Sequence, residues 1–555
     1  MRRRRFLKTV GGGLLAGPWL GGLASPLVSS AWSSPVPAGG TGRRMLSNHD
    51  GAIMGSDPPL TAEHFRQVVR TYQGTPVDTI CFCLGDREVY HYESEVAEVF
   101  GRRHGTFKSD WEWRVYENIR RLIESGKGPL ATFAEVCREE GMGLFGSFRM
   151  NSHYGVDPSS PNHSEFRLKN PQWLIGHPAG YSKESKEWGI RMGLNYAIPE
   201  VREHMAATIT EVFTRFQVDG VELDFMRHPA FFKLHEAVEN HHHMTDMLRH
   251  IKRRRDEVSR ETGRKIELAM RVPPTFADAL RVGLDVRTWI REGLVDLLIA
   301  GGGFIPFDMP FESFVEAARG TDCRVLGGME LLRYMTGPTP DLDINRAIAM
   351  RFWEGGADGL QLFNYFAQET DWKRQFFQEI GDPERLATLD KRYQMDKRRW
   401  FPGAWNNHGA AFSSAVPAVQ LPVDLTETPP GGGPRLRFRI SDDLESATRK
   451  GALESVKLRL LFENRTLEDQ VEVHLNGERL PDKQSPSFDL VSYWNRRRGP
   501  YQGEYLTGTL EYDVATPPLK QGINVIQVRL VKRTPKLTTP LRLGLVEASV
   551  NYKFG

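Results

Sequence analysis

A parallel (β/α)8 barrel followed by an all-β domain is the architecture this sequence predicts. Short apolar runs alternate with amphipathic helical segments from Met45 to about Gln394, the pattern of strands joined by crossover helices in a parallel sheet. Eight such runs can be counted, and eight strand–helix units close as a barrel more naturally than they lie as an open, doubly wound sheet. After Trp400 the helical pattern stops and strands alternate with turns to the end of the chain.

The predicted strands, in order, are Met45–His49, Val77–Gly85, Gly143–Asn151, Gly220–Met226, Lys265–Val272, Val295–Gly302, Arg324–Leu331 and Gly359–Tyr365. Helices are predicted between them, among them Ala62–Tyr72, Pro199–Phe216 and Thr245–Thr262. The second of these has proline at its first position and Glu200 in its first turn, a good start signal. The segment from His153 to Gly189 is long, polar and free of obvious periodicity. It holds Tyr154, Trp173, Tyr181 and Trp188, and it follows the end of a strand where barrel enzymes place their sites. Beyond the barrel (41–400), Pro402, Pro417, Pro422 and the run Pro429 to Pro434 read as a linker (401–434). The region 435–555 then shows strands such as Leu436–Ile440, Ser455–Phe462, Gln470–Leu475, Ile523–Val531 and Leu541–Tyr552, with no convincing helix. Asn476-Gly477 between apolar runs is a strong hairpin signal. A jelly-roll-like β-sandwich follows. The pieces Val473 to Glu478 and Leu519 to Ile526 resemble the galactose-binding-like sandwiches appended to many glycosidases, some of which bind sugar and some of which are structural.

A chain of 555 residues exceeds what one core supports, so two domains are expected. Its formal charge of +3 is small for that length and implies neither nucleic acid nor a membrane surface as partner. Arg3-Arg4-Arg5-Phe6-Leu7-Lys8 resembles the twin-arginine export motif, with a glycine-rich apolar stretch to Leu23 and small residues at Ser29-Ser30-Ala31 behind it. The apolar run is too short and too interrupted for a membrane anchor. Residues 1–40 are therefore set aside as signal and linker. The implied partner is the twin-arginine export machinery, and the implied destination is periplasmic or extracellular. Four cysteines make no disulfide framework in a chain of this size. Cys81 and Cys83, two apart on one strand, are expected as small inward-facing residues rather than a bridge or a metal pair.

Chemistry is concentrated on the fourth strand. Strand alternation puts Val221, Leu223 and Phe225 on one face and Glu222 and Asp224 on the other. In a parallel barrel the apolar face meets the helices, so both carboxylates point inward, with Asp224 nearer the C-terminal mouth. Buried carboxylates are costly unless paired or used. The same parity turns Ser147, Arg149 and Asn151 inward on strand three, and Glu267, Ala269 and Arg271 on strand five. Strand one ends in Asn48-His49-Asp50, strand seven in Glu330, and strand eight in Asn364-Tyr365. His153, Arg227 and His228 follow strand ends and join the same mouth.

Asn195 to Glu203, followed by Phe216-Gln217-Val218-Asp219-Gly220-Val221-Glu222-Leu223-Asp224-Phe225-Met226-Arg227-His228-Pro229, resembles the glycosyl-hydrolase-like 10 barrels. The close match covers some forty residues. It implies a (β/α)8 barrel and site roles for Asp224 and Arg227. The spacing of Asp219, Gly220, Asp224 and His228 is also similar to the nucleophile strand of alpha-amylases, which carry arginine where this chain has Glu222. The chitinase pattern is only partly echoed, since its catalytic acid falls on Met226.

Glycoside hydrolysis needs two carboxyl groups flanking the scissile bond. Asp224 and Glu330 are the expected pair, with their division of labour open: one barrel analogy makes Asp224 the acid/base, the other the nucleophile. Glu222 is expected as the deep partner of an inward arginine. Arg149, Arg227 and Arg271 either balance these acids or form forks for a uronate or sulfate on the sugar. Asn48, His49, Asn151, His153, His228, Asn364 and Tyr365 complete the expected carbohydrate-binding set. No cofactor is expected. A rival reading gathers His49, Asp50, His153 and His228 round a divalent metal for hydrolase or deacetylase chemistry, although no metal-binding sequence motif accompanies them. A second rival is a glycan-binding protein without turnover. The run His241-His242-His243 points in several directions and reads as surface.

Overall fold

The computed structural model describes residues 44–154, 157, 159–176, 186–301, 309–330, 335–336, 339–365, 371–395, 420–427, 432–481, 487–491, 505–516 and 518–553. The export signal, Tyr181 and the proline-rich run at 429–431 lie outside them. All eight predicted barrel strands form: β1 (Arg44–His49), β2 (Thr79–Cys83), β3 (Gly143–Arg149), β4 (Gly220–Asp224), β5 (Glu267–Val272), β6 (Leu297–Ala300), β7 (Arg324–Glu330) and β8 (Gly359–Phe363). They close in the order β1-β8-β7-β6-β5-β4-β3-β2, every pair parallel. Each is followed by helix, including Ala62–Arg70, Pro199–Arg215, His241–Thr262 and Leu342–Glu354. Pro199 sits in the first turn of its helix as its missing N–H permits. Among the described residues no helix is long and apolar enough to cross a membrane.

Register fixes what the barrel holds. Phe145 pairs with Gly220, Ser147 with Glu222 and Arg149 with Asp224, while Asp224 pairs with Arg271. One parity therefore runs inward on all three strands. The lowest inward layer is ionic: Arg44 on β1 donates to Glu267 on β5 (2.6 Å) and to Thr79 on β2 (2.8 Å), and Arg324 on β7 donates to the same Glu267 (3.2 Å). Above it lies an apolar plug of Leu46, Cys81, Phe145, Ala269, Leu297, Ile299 and Leu326. Only above that plug do polar side chains resume. Val221, Leu223 and Phe225 pack outward in the larger core between strands and helices, as side-chain alternation requires. Cys81 and Cys83 are buried, unbridged and inward-facing.

The C-terminal region is two antiparallel sheets that share one apolar core. The larger contains β9 (Lys391–Gln394), β10 (Val423–Asp424), β12 (Leu453–Glu463), β14 (Ser487–Val491), β15 (Tyr505–Asp513) and β17 (Arg542–Tyr552). The smaller is built on β11 (Arg435–Ile440), β13 (Gln470–Leu475) and β16 (Gly522–Lys532). Asn476-Gly477 makes the expected tight turn, both residues at positive φ.

Two expectations are revised. The sheet starts before residue 400, because β9 pairs with the last strand, Lys391 opposite Val550. β10 pairs with that strand too, from within the expected linker. A helix, Leu444–Arg449, also interrupts the strands. Its start is fixed by Asp443 accepting from the Ser446 N–H, a local cap that hydrophobic periodicity does not register.

The seam between barrel and sheets is pinned at β9. Lys391, 1% exposed, stands 3.1 Å from Asp442 and donates to the Leu386 carbonyl. Asp442 also accepts from the Tyr393 hydroxyl (2.7 Å) and the Tyr552 hydroxyl (2.8 Å). Replacing the ammonium leaves a buried carboxylate without its cation, so Lys391→Met is expected to cost about 3–5 kcal/mol in urea unfolding. A change within about 1 kcal/mol of wild type would show that the two tyrosines alone suffice.

Candidate active site

The polar mouth is built from the ends of β1 to β5 and β8. Asp224, 2% exposed, accepts from the Arg271 guanidinium (3.0 Å) and from the Met226 N–H (2.9 Å). Arg271 is itself 1% exposed, and its guanidinium lies 3.7 Å from the centre of the Phe363 ring on β8. A carboxylate, a guanidinium and an aromatic face thus stack across the barrel mouth.

One layer deeper, Glu222 is fully buried. Its partner is not an arginine, as expected from the sequence, but the neutral amide of Gln361, which donates at 2.5 Å from β8 on the opposite wall. Burial, and then the nearby Asp224 charge, push the Glu222 carboxyl up from the ordinary 4.5 to about 7. The loss of water and the Asp224 charge outweigh what the Ser147 and Gln361 hydrogen bonds and the Arg271 charge give back.

Arg149, inward on β3 as expected, pairs with Asp50 and lies 4.0 Å from Asp86. Asp86 was missed in the sequence. It belongs to a small hairpin after β2, where Arg87 and Glu88 both take positive φ (57° and 59°) and aim their neighbours across the mouth. Its two turn residues, Arg87 and Glu88, carry none of the Asn-Gly or Asp-Gly chemistry that marks a tight hairpin, so the sequence did not announce it. Glu88 in turn accepts from Arg167 Nε (2.9 Å) and Nη2 (2.8 Å), a buried two-pronged pair that ties the loop after β3 to the hairpin. Arg227, three residues past Asp224, donates to the Tyr154 hydroxyl at 2.6 Å. His228 is buried beside Tyr154 (4.7 Å between rings) and His153 (5.1 Å), while His153 contacts the Ala230 carbonyl. Asn48 and Asn364 are both buried at strand ends, and each carries a side-chain oxygen with no partner among the described residues. Asn364 is held at φ 61°, which asparagine tolerates better than most residues.

Three expected site residues face elsewhere. His49 is odd by parity on β1 and turns outward, its ring 5.7 Å from Phe82 and 6.4 Å from Phe133, where burial foremost lowers it to about 4. Tyr365 also turns out, donating to Asn345 (3.0 Å) beside Phe376. Asn151 spends its side chain on the backbone, donating to the Leu194 and Ala230 carbonyls and accepting from the Leu194 N–H. It clamps the loop rather than lining the mouth. Of the loop tryptophans, Trp173 packs on Phe166, and Trp188 lies under Arg191. Glu330 ends β7 and pairs with Phe363 in register; its side chain lies outside the described residues. With His49 turned away, the expected metal set does not assemble, and among the described residues no three His, Cys, Asp or Glu side chains come together as ligands.

The region that builds this mouth carries a family signature. Residues 98–245 match the Glycosyl hydrolase-like 10 family. The match contains β3, β4, Asp224 and Arg227. No curated protein matches the chain. Among solved structures the chain is similar to the GH36 alpha-galactosidase AgaB of Geobacillus stearothermophilus, at 12% identity over 87% of this chain and 55% of that one, with a TM-score of 0.35. It is similar to the PgaB (BpsB) glycoside hydrolase domain of Bordetella bronchiseptica at 11% identity, over 61% of this chain and 99% of that one, with a TM-score of 0.39. A maltogenic alpha-amylase, AmyB of Thermotoga neapolitana, aligns at 10% identity over 64% and 80% of the two chains, with a TM-score of 0.35. The chain spans about half the length of the alpha-galactosidase.

Glu222 gives a pH signature. A carboxyl raised from 4.5 unfolded to about 7 folded contributes stability that is fully present below pH 4.5 and is lost as pH rises through 7. Glu222→Gln keeps the shape and cannot ionise. Its stability relative to wild type is therefore expected to rise by about 3 kcal/mol between pH 4.5 and 7.5, from 1.36 kcal/mol per unit. Paired urea titrations across that range check it, and a pH-independent difference would mean that Glu222 is ionised throughout.

Proposed function

We propose that the protein is an exported glycoside hydrolase that cleaves glycosidic bonds of a polysaccharide or oligosaccharide with Asp224 and Glu330. The observation that carries the reading is the placement of Asp224: an inward carboxylate at the C-terminal end of the fourth strand, in a mouth whose other walls are polar. The family match over the same strand supports it.

The hydrogen bonds of Asp224 support one division of labour. Asp224 accepts from both Arg271 and a backbone N–H, so its oxygens act as electron-pair donors. That suits a nucleophile or a base. Glu330 is then the proton donor: its proton passes to the glycosidic oxygen as that C–O bond breaks, and Asp224 either bonds to the sugar carbon or takes a proton from the attacking water. Arg271 fixes the orientation of Asp224, and Phe363 fixes Arg271.

Asp224→Asn and Glu330→Gln are each expected to lower kcat on a natural glycan by about 100- to 10,000-fold. On an aryl glycoside with an acidic leaving group, Glu330→Gln regains most of its rate because protonation is no longer needed, and Asp224→Asn does not. Full activity of Asp224→Asn on every glycan would sink the proposal. The burial and ion pairing of Asp224 favour one other reading, a glycan-binding barrel in which the Asp224–Arg271 pair is structural. That protein would bind glycans without turnover, and Asp224→Asn would leave the affinity unchanged.

A further inference from the structure

The two-carboxylate chemistry leaves a set of cations at the mouth unused. Arg87 and Arg227 both approach the Tyr154 ring, their guanidinium carbons 5.4 and 5.9 Å from its centre. Arg149 stands behind them, committed to Asp50 and 4.0 Å from Asp86. Arg167 is consumed by Glu88. That leaves Arg87, which reaches Asp86 only at 3.7 Å, and Arg227. Although burial works the other way, Arg87, Arg149, Arg167 and Arg227 together hold the Asp86 carboxyl below its ordinary range. Four cations thus face three acids, Asp50, Asp86 and Glu88. Arg227 has no carboxylate partner among the described residues, and Arg87 Nε and Arg227 Nε are buried without a hydrogen bond. Desolvating guanidinium N–H groups without an acceptor is costly. An incoming oxyanion would repay that cost, and a guanidinium presents the planar fork that carboxylate and sulfate fit.

We propose that Arg87 and Arg227, both beside Tyr154 and with the Arg149 charge near by, form an oxyanion pocket that selects glycans bearing a carboxylate or sulfate group. The Tyr154 hydroxyl, already accepting from Arg227, holds the fork in place, and its ring gives the sugar an apolar edge. The pocket rests on the hydrolase reading only for its position beside a scissile bond; its charge selection is independent of turnover.

The test measures binding and cleavage by the full chain on three length-matched oligosaccharide panels: neutral, uronate-bearing and sulfated. Wild type is expected to bind at least one charged panel about tenfold or more tighter than the neutral one, with the advantage shrinking as salt is raised. Arg227→Gln is expected to lose about tenfold more on the charged ligand than on the neutral one, and Arg227→Lys, which keeps charge but not the fork, to fall between. A preference for uronate over sulfate assigns a carboxylate to the pocket, and the reverse assigns a sulfate. Arg87→Gln, at the hairpin tip, repeats the measurement should Arg227→Gln fail to fold by its thermal transition. Equal affinity for all three panels, or equal losses on charged and neutral ligands in the variants, overturns the pocket. Charge-selective binding without cleavage keeps the pocket and removes the hydrolase; cleavage of neutral glycans without charge preference does the reverse.

Discussion

Taking carboxylates out of water inside a barrel is the constraint around which the mouth is built. An isolated buried carboxylate costs several kcal/mol, and this barrel places two on one strand, two residues apart. It meets the cost in two different ways. Asp224 receives a guanidinium that is stacked on Phe363, which fixes the orientation of the pair. Glu222 has neutral hydrogen-bond partners, Gln361 and Ser147, with no ion pair of its own, and holds its proton to about pH 7. Had both been ionised, their mutual repulsion at this separation would work against the barrel closing around them. Unequal partners on the opposite and adjacent walls resolve the conflict.

The layers beneath make that arrangement possible. The apolar plug of Leu46, Phe145, Leu297, Ile299 and Leu326 separates the mouth from the ionic layer of Arg44, Glu267 and Arg324. Without it, the two charged layers would exchange partners, and Arg271 would have Glu267, on its own strand and the same inward face, as a competing acid. Register keeps them four residues apart along β5. The orientation of Asp224 is thus a property of the whole barrel rather than of its own strand.

Much of this was legible in the sequence, because strand parity is a local and rigid rule. It turned Glu222, Asp224, Arg149, Arg271, Cys81 and Cys83 inward and Val221 and Leu223 outward. It failed where proximity to a strand end replaced parity as the argument. His49 is the neighbour of inward Asn48 and so faces the helices, whereas Tyr365 lies past the end of β8, beyond the positive-φ Asn364 that breaks the alternation. Asn151 lies past the last paired residue of β3, where backbone carbonyls compete for its amide. The partner of Glu222 was illegible for another reason: Gln361 is 139 residues away, and only closure of the barrel brings the two walls together.

In the proposed reading, the hairpin at Asp86 carries the selectivity of a barrel whose strands carry the reaction. Its two positive-φ residues turn the chain back within two positions, so Asp86, Arg87 and Glu88 project into one small volume instead of spreading along a helix. Glu88 locks the turn onto Arg167, leaving Arg87 and Asp86 to face Tyr154 and Arg227. A change of sequence at this turn alters the charge of the mouth without touching the Asp224–Arg271–Phe363 stack. On the proposed function, reaction and recognition would rest on separate elements: a strand register and a turn.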